Sequence, residues 1–167
     1  MARREEDRSI LLEDRTIIFR NFSGKETQFN REGDRNFAVL LEEDLAKTLA
    51  DNGWNVKVLK AREEDDEPQP YLQVSVSFKG RPPTIKLLTS HGRTDIDEET
   101  IQTLDMVDIE KCDMILNPYE WSVNGKSGIK AYLQTLYVFV REDALSRKYA
   151  DLDMLPARAG RTDEGIE

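Results

Sequence analysis

The sequence has very few of the residues that build disulfides and zinc sites. Its 167 residues include one cysteine, Cys112, and one histidine, His91. A single thiol cannot form a disulfide within the chain, which is typical of proteins in a reducing compartment. One cysteine and one histidine also argue against a zinc site of the His/Cys type. We expect neither a metal nor any other cofactor.

Long hydrophobic runs are missing as well. No apolar stretch approaches the roughly 18 residues that a membrane-spanning helix needs. The N-terminus, MARREEDRSILLEDR, is dense in charge and lacks the apolar core of a secretory signal. We therefore expect the chain to stay in the cytoplasm. Its length suits one domain, and 38% hydrophobic with 34% charged residues is the composition of a globular core under a polar surface.

Positive charge is scarce overall but unevenly distributed. The formal net charge is −9, which taken whole argues against nucleic acid, because phosphate contacts need Lys or Arg. Yet residues 68–94 and residues 121–141 contain no Asp or Glu, although both segments carry Lys and Arg. This segregation has two explanations: a basic surface for an anionic partner, or the preference of acids for helix starts and loops.

Short alternating segments predict a mainly β fold, a small β-barrel with two or three short helices inserted or appended. We expect strands at residues 15–22, 36–41, 54–60, 71–78, 84–90, 112–123 and 127–140, and helices at 42–52, 97–104 and 141–149. The predicted organisation is a charged N-terminal arm, one β-rich domain and a flexible tail that ends acidic, at residues 1–14, 15–149 and 150–167.

The stretch from residue 117 to residue 140, NPYEWSVNGKSGIKAYLQTLYVFV, predicts a β-hairpin. Its Asn124-Gly125 pair suits a type I′ turn, which needs positive φ at both central residues. Such a turn places Val123 opposite Lys126 and sets every other pair of the hairpin. One face then carries the core residues Leu116, Pro118, Ile129, Ala131 and Leu133. The other face carries Asn117, Tyr119, Trp121, Lys126, Lys130, Tyr132 and Gln134.

This second face of the hairpin combines aromatic rings with lysines. Lysine and glutamine are rarely buried, so we expect the face to be solvated. Tyr119, Trp121 and Tyr132 then form a platform on which the bases of an unpaired strand could stack, with Lys126 and Lys130 placed to pair with phosphates. The alternatives are an aromatic ladder that only stabilises the hairpin and a second small core.

Two further basic segments extend the candidate site. The turn Lys79-Gly80-Arg81 follows the acid-free strand at residues 71–78, and the loop after the first strand carries a ring among basic residues. The candidate DNA contacts are therefore Tyr119, Trp121, Lys126, Lys130, Tyr132, Lys25, Phe29, Arg31, Lys79 and Arg81.

Catalytic patterns are weak in this sequence. Asp95, Asp97, Glu98 and Glu99 would suit a metal-dependent nuclease, but an N-terminal helix cap and the helix dipole account for them. His91 is accompanied by no serine or cysteine nucleophile in a recognisable elbow, and the glycines form no phosphate-binding loop. We expect a binding protein without enzymatic activity.

Three segments, RTIIFRNFSGKETQFNREGDRNFAVLL, PYLQVSVSFKGRPP and NPYEWSVNGKSGIKAYLQTLYV, resemble phage-encoded single-stranded DNA-binding proteins with an OB fold. The resemblance covers about residues 15 to 140. It implies a five-stranded barrel that holds unpaired DNA across its face and protects it during phage replication or recombination in the host cytoplasm. The implied contacts are Tyr119, Trp121, Lys126, Lys130 and Tyr132, followed by Lys25, Phe29 and Arg31.

Many proteins of this family end in an acidic tail that recruits replication partners. Here the last five residues, DEGIE, are acidic but few, and they lack the terminal aromatic residue often found there. Recruitment of replication or recombination proteins by this tail is therefore an open expectation. Two other functions also stay open: a protein–protein interaction module that docks a partner on the aromatic face, and RNA binding on the same fold.

Overall fold

A computed structural model describes residues 8–28, 30–59 and 67–148. This part of the chain forms nine strands: β1 (Ile10–Arg15), β2 (Ile17–Asn21), β3 (Arg35–Leu40), β4 (Val56–Leu59), β5 (Gln69–Val76), β6 (Thr84–Thr89), β7 (Gly92–Ile96), β8 (Ile109–Val123) and β9 (Lys126–Val140). It also forms helix α1 (Glu43–Asp51), a 3₁₀ helix (Ile101–Asp105) and helix α2 (Ala144–Lys148). The prediction of a mainly β fold with short helices is confirmed. None of the described helices has the length and apolar character to cross a membrane.

All nine strands belong to one sheet, whose main path runs β1-β8-β9-β5-β3-β2. β4 adds to β5, β6 adds to β9, and β7 pairs with β6 at an edge. The pairs are antiparallel except for β5 with β9 and β6 with β9. Within the described residues this path does not close on itself, so the sheet is an open, curled one rather than a fully hydrogen-bonded barrel.

The core lies on the inner face of this sheet. Along β5 the predicted alternation holds, because Leu72, Val74 and Val76 are buried while Gln73 and Ser75 face the other way. Phe22 and Phe37 are fully buried and stack at 5.2 Å between ring centroids. Burial of each such side chain contributes about 1.5–3 kcal/mol. The inner face therefore holds the sheet in shape and leaves the outer polar face available.

The β8–β9 hairpin has the predicted register. Asn124 and Gly125 have φ values of 51° and 80°, and Val123 pairs with Lys126. Further along, Tyr119 pairs with Lys130 and Asn117 with Tyr132, as the turn requires. The face predicted to be core is buried at Leu116, Pro118, Ala131 and Leu133, whereas Ile129 is partly buried.

A β-bulge interrupts the same hairpin at Gln134. Ile115 pairs with Thr135 but Leu116 pairs with Leu133, so Gln134 has no partner across the ladder. In a regular strand, residues three positions apart face opposite sides of the sheet. Because of the extra residue, Leu133 and Leu136 both face the core and are buried. This bulge was not predicted.

Two strands were not predicted. β1 begins at Ile10, inside the segment expected to be a charged arm, and its Leu12 is buried opposite Met114 of β8. The dense charges around Ile10–Leu12 concealed this strand. β7 was also missed because four of its five residues are exposed and its sequence, GRTDI, shows little apolar alternation.

The helix predicted at residues 97–104 is a turn followed by the 3₁₀ helix. The carboxylate of Asp97 accepts hydrogen bonds from the backbone N–H groups of Glu99 (2.9 Å) and Thr100 (3.0 Å). At the other end Asp105 accepts from the N–H groups of Phe22 and Ser23, which ties this segment to β2. The helix predicted at 141–149 is present at Ala144–Lys148, and the tail from residue 150 lies outside the described residues.

Cys112 provides a test of this packing. It is fully buried on β8, and burial raises the pKa of its thiol from 9.0 to about 12. Because the thiolate is the reactive form, the folded protein should resist a thiol reagent at about pH 8 and react only when it unfolds. Labelling kinetics with and without denaturant measure this, and rapid labelling of folded protein would contradict the buried position.

The same shift predicts a pH dependence of stability. The folded-state pKa lies above the unfolded value, so the neutral thiol favours the folded state at pH values below 9.0. This contribution is lost as the pH rises from 9.0 towards about 12. Urea unfolding of wild type and Cys112→Ala over that range should show a steeper loss in wild type.

Candidate nucleic-acid interface

The outer face of the hairpin carries the predicted cluster of rings and lysine. Tyr119 is 52% exposed, and its ring meets that of Tyr132 edge-on at 5.7 Å between centroids. The Nζ atom of Lys130 lies 5.1 Å from the centroid of the Tyr132 ring. Tyr119 and Lys130 are direct cross-strand partners, so the pairing of β8 with β9 brings these groups together.

Trp121 lies on the same face, across from Gly128. A Cβ atom at position 128 would stand 3.0 Å from Cζ2 of Trp121 and would collide with Oδ1 of Asn55. The missing side chain therefore lets the half-buried indole lie over β9 close to Asn55. The backbone at Gly128 does not have a positive φ, so its conformation does not require glycine. Glycine is needed at this position because a side chain would not fit.

Neighbouring strands continue this outer face away from the hairpin. Ser75 of β5 lies beside Tyr132 in the parallel pair, and Asn36 of β3 pairs with Ser75 on the other side. Gln73, two residues before Ser75, points to the same face and pairs with Ala38. The polar positions of β5 predicted from the sequence thus form the floor of a groove that starts at the hairpin.

The first part of the groove, the hairpin cleft, has a volume of about 630 Å³. It lies between Lys130 and Tyr132 of β9, the outer face of β5 and residues 30–36. Its charge is opposite to that of the whole chain, with basic side chains in excess. The basic side chains are Arg31, Arg35, Lys57, Lys79 and Lys130, and the acidic ones are Asp34 and Glu98.

The second part of the groove, the β2 cleft, has a volume of about 840 Å³. It is lined by rings from Phe19 and Tyr71 and by basic side chains that include Lys25. The two clefts share four lining residues, Asn30, Asn36, Lys57 and Gln73. They are therefore two parts of one groove, and Lys57 stands at the junction with its Nζ 3.4 Å from Oε1 of Gln73.

The loop between β2 and β3 is held in shape beside the groove. The side-chain Nδ2 of Asn30 donates hydrogen bonds of 2.9 Å to the backbone carbonyls of Lys25, Arg31 and Asp34. The N–H of Gly33 donates to the carbonyl of Gly24 at 2.7 Å, a close approach that leaves little room for a side chain at Gly24. This bonding places Lys25 at the β2 cleft and Arg31 at the hairpin cleft.

The structure brings together most of the predicted contact residues that it describes. Lys130, Tyr132, Arg31 and Lys79 line the hairpin cleft, and Lys25 lines the β2 cleft. Tyr119 and Trp121 adjoin the hairpin cleft through Tyr132 and Asn55. Of the described residues, Lys126 and Arg81 are exposed and line neither cleft. Phe29 lies outside the described residues, and the roles of all these side chains stay predictions.

Several lining residues were not selected from the sequence. Asn55 and Lys57 flank Val56 at the start of β4, and the alternation of WNVKVLK was the available signal that Lys57 is exposed. Phe19 lies within the strand predicted at residues 15–22. It is 59% exposed, and no local pattern distinguishes it from its buried neighbours.

Residues considered for catalysis are engaged in other contacts. The Nδ1 atom of His91 lies 3.4 Å from the Glu142 carboxylate, which also accepts hydrogen bonds from the N–H and the hydroxyl of Ser90. A hydrogen bond from Lys86 lowers the pKa of Asp95. In the part of the chain that the structure describes, no group of three His, Cys, Asp or Glu side chains could hold a metal ion.

The position of Trp121 can be tested through Gly128. The Gly128→Ala change adds a methyl group where the indole and Asn55 already lie, so the indole should move into solvent and its emission should shift to the red. Overpacking of this kind costs about 1–3 kcal/mol of stability. Trp54 is buried and gives a constant background, and Ser127→Ala is the control on the same hairpin. An unchanged spectrum would show that the indole does not lie over Gly128.

Two solved structures with a similar fold are of a protein from bacteriophage Enc34. The single-stranded DNA-binding protein from bacteriophage Enc34, in a C-terminal truncation, matches with a TM-score of 0.53 and 11% identity over 81% of this chain and 87% of that one. The same protein in complex with single-stranded DNA matches with a TM-score of 0.50 and 12% identity over 81% and 88%. These similarities show the fold, and they confirm the predicted OB type.

Sequence comparison gives the family. A search of the curated proteins finds no significant match. The sequence model of the family described as "Putative phage ssDNA-binding domain", by contrast, matches residues 1–162. The chain therefore belongs to this family of phage single-stranded DNA-binding domains.

Proposed function

We propose that the groove binds single-stranded DNA by stacking bases on its rings and pairing phosphates with its basic side chains. One observation carries this proposal: the edge-on pair Tyr119–Tyr132 with Lys130 opens directly onto a cleft in which basic side chains outnumber acidic ones. Exposed rings beside cations are the two parts that a non-specific single-strand site requires.

The charges of the groove oppose those of the rest of the protein. The hairpin cleft has five basic and two acidic side chains, against a formal net charge of −9 for the chain. Local positive potential in a groove attracts a phosphate backbone, while acidic surface elsewhere repels it. A strand of DNA is therefore directed to the groove rather than spread over the surface.

The rings favour unpaired over paired DNA. In a duplex the faces of the bases are covered by their neighbours, so a ring on the protein has nothing to stack on. In a single strand each base can leave its neighbour and stack on a side chain, which is worth roughly 1–3 kcal/mol per base. Because every base has such a face, this mode of binding is tolerant of sequence.

A protein that covers unpaired DNA without sequence preference suits a stage at which phage DNA is single-stranded. We therefore assign it to the protection of unpaired DNA during replication or recombination, in the cytoplasm of the host and without catalysis. Residues 15–149 supply the binding domain in this proposal. Recruitment of replication proteins by residues 150–167 stays a prediction, since that tail lies outside the described residues.

The binding class is tested by comparing ligands. The protein should shift oligo(dT) in a gel and leave a blunt duplex of similar length unbound, and its affinity should fall steeply with salt because counterions are released from phosphates. Single-stranded RNA in a third arm tests the RNA alternative. Equal binding of duplex and single strand would contradict stacking, and no binding at about 50 mM salt would favour the protein-interaction alternative.

Stacking and charge can be separated within the hairpin. Trp121→Ala should cost roughly 1–3 kcal/mol of binding to oligo(dT) if a base lies on the indole, with little change in salt dependence. Lys130→Ala should weaken binding less but reduce the slope against salt by about 0.7, the value for one phosphate on a single strand. Fluorescence anisotropy over a salt series measures both effects.

Two controls accompany this pair of variants. Lys47→Ala changes the net charge by the same amount as Lys130→Ala, but Lys47 is exposed on α1 and lines neither cleft. It should therefore leave the slope unchanged. Thermal melts check the fold, and a stability loss of about 3–5 kcal/mol for Trp121→Ala would identify the indole as a core residue.

A further inference from the structure

Phe19 is held in a conformation that its own side chain does not favour. Its φ is 52°, in the left-handed region that bulky residues rarely adopt. A bulge between Ile18 and Asn21 produces this turn of the backbone, and such a position is usually taken by Gly or Asn. The ring is also 59% exposed, so burial does not compensate for the strained backbone. Neither the bulge nor the core explains a phenylalanine here.

The strained backbone brings the Phe19 ring to a second ring. Phe19 and Tyr71 meet edge-on with 5.8 Å between their centroids. They belong to β2 and β5, which are separated by β3, where Ala38 pairs with Ile18 of β2 and with Gln73 of β5. Ala38 is only 2% exposed, and it lines the β2 cleft together with both rings. Both rings therefore face the groove.

Basic side chains surround this ring pair. Lys25, Lys57 and Arg20 line the same cleft, together with a single acidic residue, Asp105. Asp105 accepts hydrogen bonds from two backbone N–H groups, and the Arg20 guanidinium donates to two backbone carbonyls, one in the 3₁₀ helix and one just after it. The cleft therefore combines exposed rings with an excess of positive charge, as the hairpin cleft does.

We propose that Phe19 and Tyr71 form a second base-stacking subsite, which extends the bound DNA strand from the hairpin cleft into the β2 cleft. This inference rests on the proposed function, because the two clefts form one groove with Lys57 at their junction. The occupant is the same single strand, continuing across the outer face of β5. Its phosphates pass Lys57, and its bases reach one ring platform at each end.

The separation of the two platforms sets the length of DNA that can use both. Tyr132 lies beside Ser75, and Tyr71 is four residues from Ser75 along β5. At about 3.3 Å per residue and about 4.8 Å between strands, the platforms are roughly 14 Å apart. Stacked nucleotides rise about 3.4 Å each, so this distance spans about four of them in a stacked strand and fewer in an extended one. An oligonucleotide of about two residues should therefore be too short to reach both platforms, and one of about 12 residues should reach both.

The test compares these two lengths of oligo(dT) on the full chain by fluorescence anisotropy. Phe19→Asn removes the ring and suits the left-handed backbone, so the variant should fold at least as stably as wild type. It should weaken binding of the longer oligonucleotide by roughly 5- to 150-fold, the equivalent of one lost stacking contact. Binding of the shorter one should change much less. Phe19→Trp keeps a ring and should restore the affinity for the longer oligonucleotide.

Leu11→Asn is the matched control. Leu11 is 61% exposed on β1 and lines neither cleft, so both lengths should bind this variant as they bind wild type. Wild-type affinity of Phe19→Asn for the longer oligonucleotide would overturn the second subsite and leave the proposed function intact. An equal loss of affinity for both lengths in Phe19→Asn, or a large drop in its melting temperature, would also overturn the second subsite. Failure of wild type itself to bind oligo(dT) would instead overturn the proposed function.

Discussion

The pairing of β8 with β9 is the constraint on which the rest of the structure depends. Two strands of 15 residues pair antiparallel, and β9 also pairs in parallel with β5 and β6, so it is the central strand of the sheet. A slip of one residue in this register would turn every side chain to the opposite face. Leu133 would then face solvent and Lys130 would face the core. The Asn124-Gly125 turn excludes this slip, because both residues adopt the positive φ values of a two-residue turn.

Core and groove are therefore two sides of the same strands, and each limits the other. β9 gives Ala131 and Leu133 to the core and Lys130 and Tyr132 to the groove. On the outer face, cations that lie near one another repel, which works against folding. The apolar inner face offsets this cost, since burial contributes about 25 cal/mol per Å² of apolar surface. In the proposed complex a phosphate backbone would remove this repulsion, so the charge pattern that weakens the free protein would strengthen binding.

Local signals in the sequence were sufficient for the hairpin but not for the contacts between distant strands. The turn residues and the alternation of β5 predict which side chains are exposed, because strand geometry has a period of two. Lys57 and Arg31 face the same cleft because β4 and β3 both pair with β5 and because the Asn30 side chain holds the loop that carries Arg31. No short sequence pattern encodes these long-range pairings or these hydrogen bonds. β1 and β7 were missed for a related reason: long-range pairing stabilises them more than their own composition does. Phe19 could not be recognised at all, because its exposure follows from a bulge.

The two ring platforms are supported by different means, yet both are positioned before any ligand arrives. Trp121 is placed by the missing side chain of Gly128, and Phe19 by a backbone conformation that costs about 1–2 kcal/mol. That cost is appreciable for a domain whose total stability is of the order of 5–15 kcal/mol. Rings fixed on strands lose little freedom when a base stacks on them, so more of the stacking energy remains as affinity. In the proposed complex, a ring already fixed at Phe19 thus lowers the entropic cost of binding at that end of the groove.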